Sequence, residues 1–346
     1  MQQAWTVLGA IAVMAVGMGA VMADGEAANA APRTISPWFI YQGEASIEAL
    51  RPHADAVSSI SVCGGCPPEF VQQCHDLGIS ALLLVGGHDG ALFDTPERRR
   101  ELIEGYLARC RETGADGIDL DFESLDSRYR DSYSALLREA AEALHADGLT
   151  LSMCVSYIMS TWRTADVEAQ PGGAQIDGGW FDPAVIGQTC DMVRVMCYDM
   201  HSVSGESVGP VSTRPWARDA MRFWMQHVPR ERLVMGLPTY SRDFALTAER
   251  RADSLYLPEP ELPEGTDVRR VWLPYEEIHQ YRYLDADAVA HLFYASDAAS
   301  TRAHLQTAAE LGIDTIAFWH YGAVTAEEWA AVEEWLQPDG REEAPE

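Results

Sequence analysis

The sequence predicts a (β/α)8 barrel, and three observations carry that prediction. Short apolar runs recur along the chain and alternate with helical patterns. Several runs are nearly continuous in hydrophobic residues, which suits strands buried on both faces of a parallel sheet. Eight such units fit the chain length, and no Gly-rich nucleotide loop follows the first run, which disfavours a doubly wound open sheet.

In order, the strand runs are SPWFIYQ (36–42), AVSSISVCG (56–64), SALLLVGG (80–87), DGIDLDFE (116–123), LTLSMCVSY (149–157), DMVRVMCYD (191–199), RLVMGLPTY (232–240) and DTIAFWHY (314–321). The helical patterns between them carry their own start and stop signals. PERRRELIEGYLARCRETG begins with Pro96 and stops at Gly114. RDSYSALLREAAEALHADG puts Tyr133, Leu136, Leu137, Ala140 and Leu144 on one stripe and stops at Gly148. SDAASTRAHLQTAAELG offers Ser296 or Ser300 as N-cap and stops at Gly312. The longest gap, Tyr240 to Asp314, holds the loop LPEPELPEGTD and one further short strand, HLFYAS. It reads as a small insertion at about 245–295, between the seventh and eighth strands, rather than a second domain. The expected organisation is therefore a leader over 1–30, one barrel domain over 31–336 and a frayed tail over 337–346.

The chain has 346 residues, 47% apolar and 23% charged, enough to build a large core. Its formal charge is -28 and it contains no lysine, so polyanions are repelled and nucleic acid is excluded as a partner. Neutral substrates fit better, and a monomer is expected. An apolar run from Ala4 to Met22 is followed by small residues, with cleavage expected after Ala23 or Ala30. That predicts an exported protein; an uncleaved anchor is the alternative, and only then would the chain meet a membrane. Seven cysteines follow, and CGGC at Cys63 to Cys66 reads as a structural loop disulfide, with Cys74 a further partner, in preference to a redox pair.

The fourth run is the informative one. On a strand, residues two apart share a face, so Asp119, Asp121 and Glu123 point one way and Ile118, Leu120 and Phe122 the other. In a barrel the apolar set meets the helices and the acids enter the interior, with Glu123 at the C-terminal mouth. Three carboxyls so placed cannot all ionise cheaply, and a proton retained at neutral pH is what a general acid requires. A calcium loop starting at Asp119 would need Gly and Glu where Ser124 and Arg130 stand. The ten histidines form no HExxH or i, i+4 pair, so neither a metal nor a cofactor is expected.

DGIDLDFE resembles the DGxDxDxE signature of glycoside hydrolase family 18, the chitinases and their relatives. VMCYDMH (195–201), RLVMGLPTYSRDF (232–244) and LGIDTIAFWHYG (311–322) resemble later strands of that family in the same order. LLLVGG (82–87) resembles its third strand, but Leu84 or Val85 stands where Ser is usual. LPYEEI (273–278) and the small insertion look most like the di-N-acetylchitobiase branch. The resemblance implies roles. Glu123 matches the general acid, Asp121 the residue that orients the substrate acetamido group, Asp119 the deeper carboxylate that supports it, and Tyr198 the hydroxyl donor to the acetamide carbonyl. The substrate's own N-acetyl oxygen would be the nucleophile, giving retention, an exception to the two-carboxylate scheme. Trp319 would floor the sugar site, Met196 would lie beneath it, and Asp199, Tyr240 and Arg242 would bond the sugar, unless Arg242 sits exposed on the helix side. Cys154 and Cys197 count as off the inward parity and read as buried thiols. Asp116, also off that parity, reads as structural.

The implied partner is an oligosaccharide containing N-acetylglucosamine, with chitin fragments, the N-glycan core and peptidoglycan all open. The competing function is a non-catalytic sugar-binding protein on the same fold. Such lectins usually lose the acid that stands here as Glu123. A calcium or redox module is a third, remote alternative. Without a large insertion domain the cleft should be shallow, suited to short or terminal oligosaccharides.

Overall fold

The protein, seen in a computed structural model, is described over residues 32–157, 179–203, 207–247, 249 and 251–337. The leader and, apart from Gln337, the C-terminal tail lie outside these residues. The first predicted run, 36–42, holds β2 (Trp38–Ile40), and a two-residue strand it did not include, β1 (Thr34–Ile35), precedes it. Pro37 between them has no N–H to give a ladder. The segment nevertheless bonds on both sides: Ser36 N donates to the Ile316 carbonyl at 2.7 Å, and the Pro37 carbonyl accepts from Ser61 N at 2.9 Å.

β1 pairs in parallel with the last strand, β14 (Thr315–Trp319), and β2 with β3 (Ser59–Cys63). β4 (Ser80–Gly87), β5 (Gly117–Phe122), β6 (Thr150–Ser156), β7 (Met192–Met196) and β8 (Leu233–Pro238) complete the circuit, every pairing parallel. The nine-stranded sheet thus curls into the (β/α)8 barrel that the apolar runs predict, β1 and β2 together acting as the first stave.

The helices begin and end where side chains cap them. Thr95 Oγ1 accepts from Arg98 N at the start of Pro96–Thr113, and Gly114 closes that helix in the left-handed region at φ 76°. For Ala298–Leu311 the N-cap is Asp297, not Ser296 or Ser300; Ser300 instead returns the reciprocal bond of a capping box. The 240–314 gap holds more structure than its sequence pattern signals. β9 (Ser241–Ala245), β10 (Arg251–Leu255), β11 (Val268–Leu273), β12 (Ile278–Leu284) and β13 (Ala290–Tyr294) form an antiparallel sheet in the order β10-β9-β13-β12-β11. Much of β11 is exposed, and VRRVWL mixes Arg with apolar residues, so no continuous hydrophobic run marks it.

Two apolar layers result. The larger packs the outward faces of the barrel strands, including Ile118, Leu120 and Phe122, under the helices. The smaller fills the barrel around Trp38, Tyr198 and Tyr240. Gly236 makes room for it: a Cβ there would come within 2.8 Å of the Trp38 ring.

Candidate active site

β5 places Asp119 and Asp121 on the barrel's inner side and delivers Glu123 just past its C-terminal end, where Glu123 N still donates to the Gly87 carbonyl at 3.1 Å. The neighbouring strand must come close for this. A side chain at Gly86 would set its Cβ 1.8 Å from the Asp121 carbonyl oxygen, so only glycine fits there. Ser124, at φ 54°, then turns the chain away through the left-handed region.

The three acids differ in depth and in partners. Asp119 is fully buried. One of its oxygens accepts from Ser61 Oγ at 2.6 Å and from Cys154 Sγ at 3.4 Å, and lies 3.2 Å from Nε of the equally buried Arg194. Cys154 therefore faces inward, against the parity count from the sequence, whereas Cys197 packs in the outer core. Above, burial pushes the Asp121 carboxyl up to about 7, helped by the charges of Glu123 and Asp119. Glu123 is raised as well, chiefly by burial, and lies within hydrogen-bonding reach of Asp121. This pair opens onto a cavity of about 310 Å³ whose wall includes Leu84, Gly86 and His88. His88 Nδ1 donates to the Glu123 carbonyl at 2.9 Å.

A second group lies beside the first, in a cavity of about 190 Å³. The Asp199 carboxylate accepts from Tyr240 Oη and from Arg242 Nη2, both at 2.6 Å. Arg242 is buried on β9 and is also held by Ser254, so it is not an exposed helix-side residue. Trp319, at the end of β14, and the half-exposed Tyr256 wall the same cavity. The Tyr198 ring meets Trp38 edge-on at 5.8 Å, burial holds its hydroxyl in the neutral form, and the charges of Asp121 and Glu123 reach it. Met196 packs against this cluster, partly buried. All nine site residues singled out in the sequence thus fall in the inner barrel or around its C-terminal mouth.

Some predictions fail and some partners were missed. All seven cysteines carry free thiols, so the loop disulfide expected for Cys63, Cys66 and Cys74 is not formed in this structure. Cys63 sits near the acids instead, and burial pushes its thiol up to about 12. Asp116 is structural as expected, accepting from Ala81 N at 2.7 Å. Arg194, Ser61, Trp38 and His88 escaped the sequence reading. For Arg194 a signal existed, since it shares the parity of Met196 and Tyr198 inside an otherwise apolar run.

Two contacting carboxyls, both raised by burial, thus open at the C-terminal mouth of a (β/α)8 barrel, where such barrels keep their active sites. The comparisons with known proteins name the class. Residues 69–323 match the model of the glycosyl hydrolases family 18, and the chain belongs to that family. A cortical fragment-lytic enzyme of Bacillus subtilis is 26% identical over 241 residues, 67% of this chain and 52% of that protein. The chain thus spans about half the length of that relative. Among solved structures, a chitinase from Chromobacterium violaceum has a TM-score of 0.72 at 19% identity, covering 88% of this chain and 99% of the other. The spore cortex-lytic enzyme SleL of Bacillus megaterium also has a TM-score of 0.72, at 15% identity, covering 88% and 74%. These two likenesses are of fold.

Proposed function

We propose that this chain is an exported, monomeric glycosidase that cleaves β-linked N-acetylglucosaminides by substrate-assisted retention. The observation that carries the reading is the Asp121–Glu123 pair, two raised carboxyls in contact at the open end of the barrel. Glu123 gives its proton to the glycosidic oxygen as that bond breaks. The acetamido carbonyl oxygen of the same sugar closes on the anomeric carbon, forming an oxazolinium ion. Asp121 accepts from the acetamido N–H and, as a carboxylate, stabilises the positive charge beside it. Tyr198 donates to the acetamide carbonyl and fixes its angle, and Asp119 supports Asp121 from below. Water then opens the ring, Glu123 now taking its proton, and configuration is retained. Trp319 supplies the apolar surface under the pyranose, Met196 lies below it, and Asp199, held by Tyr240 and Arg242, bonds its hydroxyls.

Glu123→Gln tests the chemistry: turnover should fall by about 10²–10⁴-fold while folding persists. Unchanged turnover would remove Glu123 from the mechanism. A sugar-binding protein without catalysis is the alternative, and it would show binding but no hydrolysis in the unmodified chain.

The substrate is chosen between two readings. The segment 273–278 and the modest sheet around it favour short or terminal chito-oligosaccharides, in the manner of the chitobiase branch. The fragment-lytic and cortex-lytic names of the relatives favour a peptidoglycan glucosaminidase. A panel of reporter disaccharide, longer chito-oligomers and peptidoglycan fragments separates them. Rates should be highest on short ligands in the first case and on muropeptides in the second. Strong preference for long chitin polymer would sink both.

A further inference from the structure

The cavity beside the acids has a part that the reaction, as proposed, leaves unused. Trp319 borders this cavity from the inner barrel cluster. Tyr256 and Val203 line it too, and each is 48% exposed. They come from separate elements: Tyr256 lies just past β10 in the inserted sheet, and Val203 in the segment that follows β7. Scattered exposed apolar side chains are ordinary, but two that border one cavity, with Ser254 and Arg242 in the same wall, make a slot. Tyr256 is also held in place. Ser241 Oγ donates to the Leu257 carbonyl at 2.5 Å, which ties the chain beside Tyr256 to β9. Its ring meets Tyr240 edge-on at 5.9 Å and His320 at 5.0 Å. Both neighbours adjoin the site, since Tyr240 Oη donates to Asp199 and His320 follows Trp319 in the chain. The Tyr256 ring thus stands at a fixed offset from the surface on which the first sugar rests.

A pyranose ring has apolar C–H faces and a rim of hydroxyls, so apolar walls beside hydroxyl and guanidinium groups suit it. We propose that Tyr256, with Val203, is a specificity-determining residue: it holds a second sugar, linked to the one over Trp319 on the side away from the bond that breaks. The inference rests on the glycosidase reading above. Glu123 opens into the other cavity, beside Leu84 and His88, so the leaving group departs there. The retained end of the chain then runs toward Tyr256. A ligand with two N-acetylglucosamine units ahead of the cleaved bond fills the slot, and one with a single unit leaves it empty. The protein therefore releases disaccharides or longer pieces in preference to single terminal sugars.

Two reporters with the same aryl leaving group test this, one carrying a single N-acetylglucosamine and the other N,N′-diacetylchitobiose. The ratio of their kcat/KM values isolates the second sugar, because the bond broken and the leaving group are common to both. In the unmodified protein the ratio should favour the disaccharide reporter by about tenfold or more. Tyr256→Ala should lower that ratio by about tenfold, and Tyr256→Phe, which keeps the ring, should restore it. Val203→Ser should lower it in the same direction. Binding is read apart from turnover by calorimetric titration of the uncut reporters into Glu123→Gln, with and without Tyr256→Ala. There the disaccharide reporter alone should lose affinity, again by about tenfold. A ratio and a pair of affinities that Tyr256→Ala leaves in place overturn the proposal and make Tyr256 a packing residue. Tyr256-dependent binding in a chain that cuts neither reporter would instead defeat the glycosidase reading and keep the sugar slot. Binding of neither reporter would overturn both.

Discussion

Replacing Asp121 with Asn should stabilise the protein in alkaline solution while abolishing turnover. The buried Asp121 carboxyl holds its proton up to about 7, against 3.8 in the unfolded chain. Between those values the folded state binds a proton that the unfolded state has lost. Stability from this group is therefore fully present below 3.8 and is lost as pH rises through 7. Integrated from pH 5 to pH 8, the loss is close to two pH units of linkage, or roughly 2–3 kcal/mol. Asn carries no such linkage. Urea unfolding of both proteins at about pH 5 and pH 8 measures the difference, and groups common to both cancel. The gap between them should change by roughly 2–3 kcal/mol in favour of Asp121→Asn at the higher pH, reduced where Glu123 shares the proton. Two stability profiles that run parallel from pH 5 to pH 8 would show that Asp121 is not proton-bearing, and the acid array would need another explanation.

Tyr198→Phe keeps the ring against Trp38 but removes the hydroxyl, and should lower kcat by about 10²–10³-fold with little change in KM, as steady-state kinetics would show. Trp319→Ala removes the apolar wall beside Asp199 and should raise KM by about tenfold, with kcat less affected; an unchanged KM would make Trp319 a packing residue.

The barrel was legible because a parallel sheet buried on both faces writes itself as apolar runs, and each predicted run overlaps an observed strand. SALLLVGG coincides with β4 at both ends. The acidic strand was legible for the same reason in reverse: Asp119 and Asp121 break the apolar rule at alternate positions and nothing in the outer core accounts for them. What escaped lay in pairings between distant strands. Ser61 and Asp119 are 58 residues apart and Arg194 and Ser36 are 158 apart, and neither partner is conspicuous alone. Apart from HLFYAS the inserted sheet escaped, because strands such as β11 and β12 are partly exposed and mix polar with aromatic residues. β12, IHQYRYL, has a polar or aromatic residue at nearly every position, so periodicity gives no contrast. Cys154 was misplaced by counting parity through a run whose apolar residues fill both faces. On such a strand only a polar neighbour fixes the register, and Ser152, bonded to Arg194, is that neighbour.

The array also suggests why the acids are stacked at different depths. A carboxyl at the bottom of the barrel is the hardest to solvate, and it is the one given a buried cation, a hydroxyl and a thiol. The two above line the cavity at the mouth, and burial raises both. Asp199, beyond them, has its own guanidinium in Arg242, contributed by the inserted sheet. Two arginines on separate elements thus bracket the Asp121–Glu123 pair. A cation closer to Glu123 would favour its ionised form and take the proposed acid's proton, whereas none at all would leave three buried carboxyls repelling one another. Cations placed at either end leave the two carboxyls between them, both raised by burial, as the groups able to exchange a proton near neutral pH.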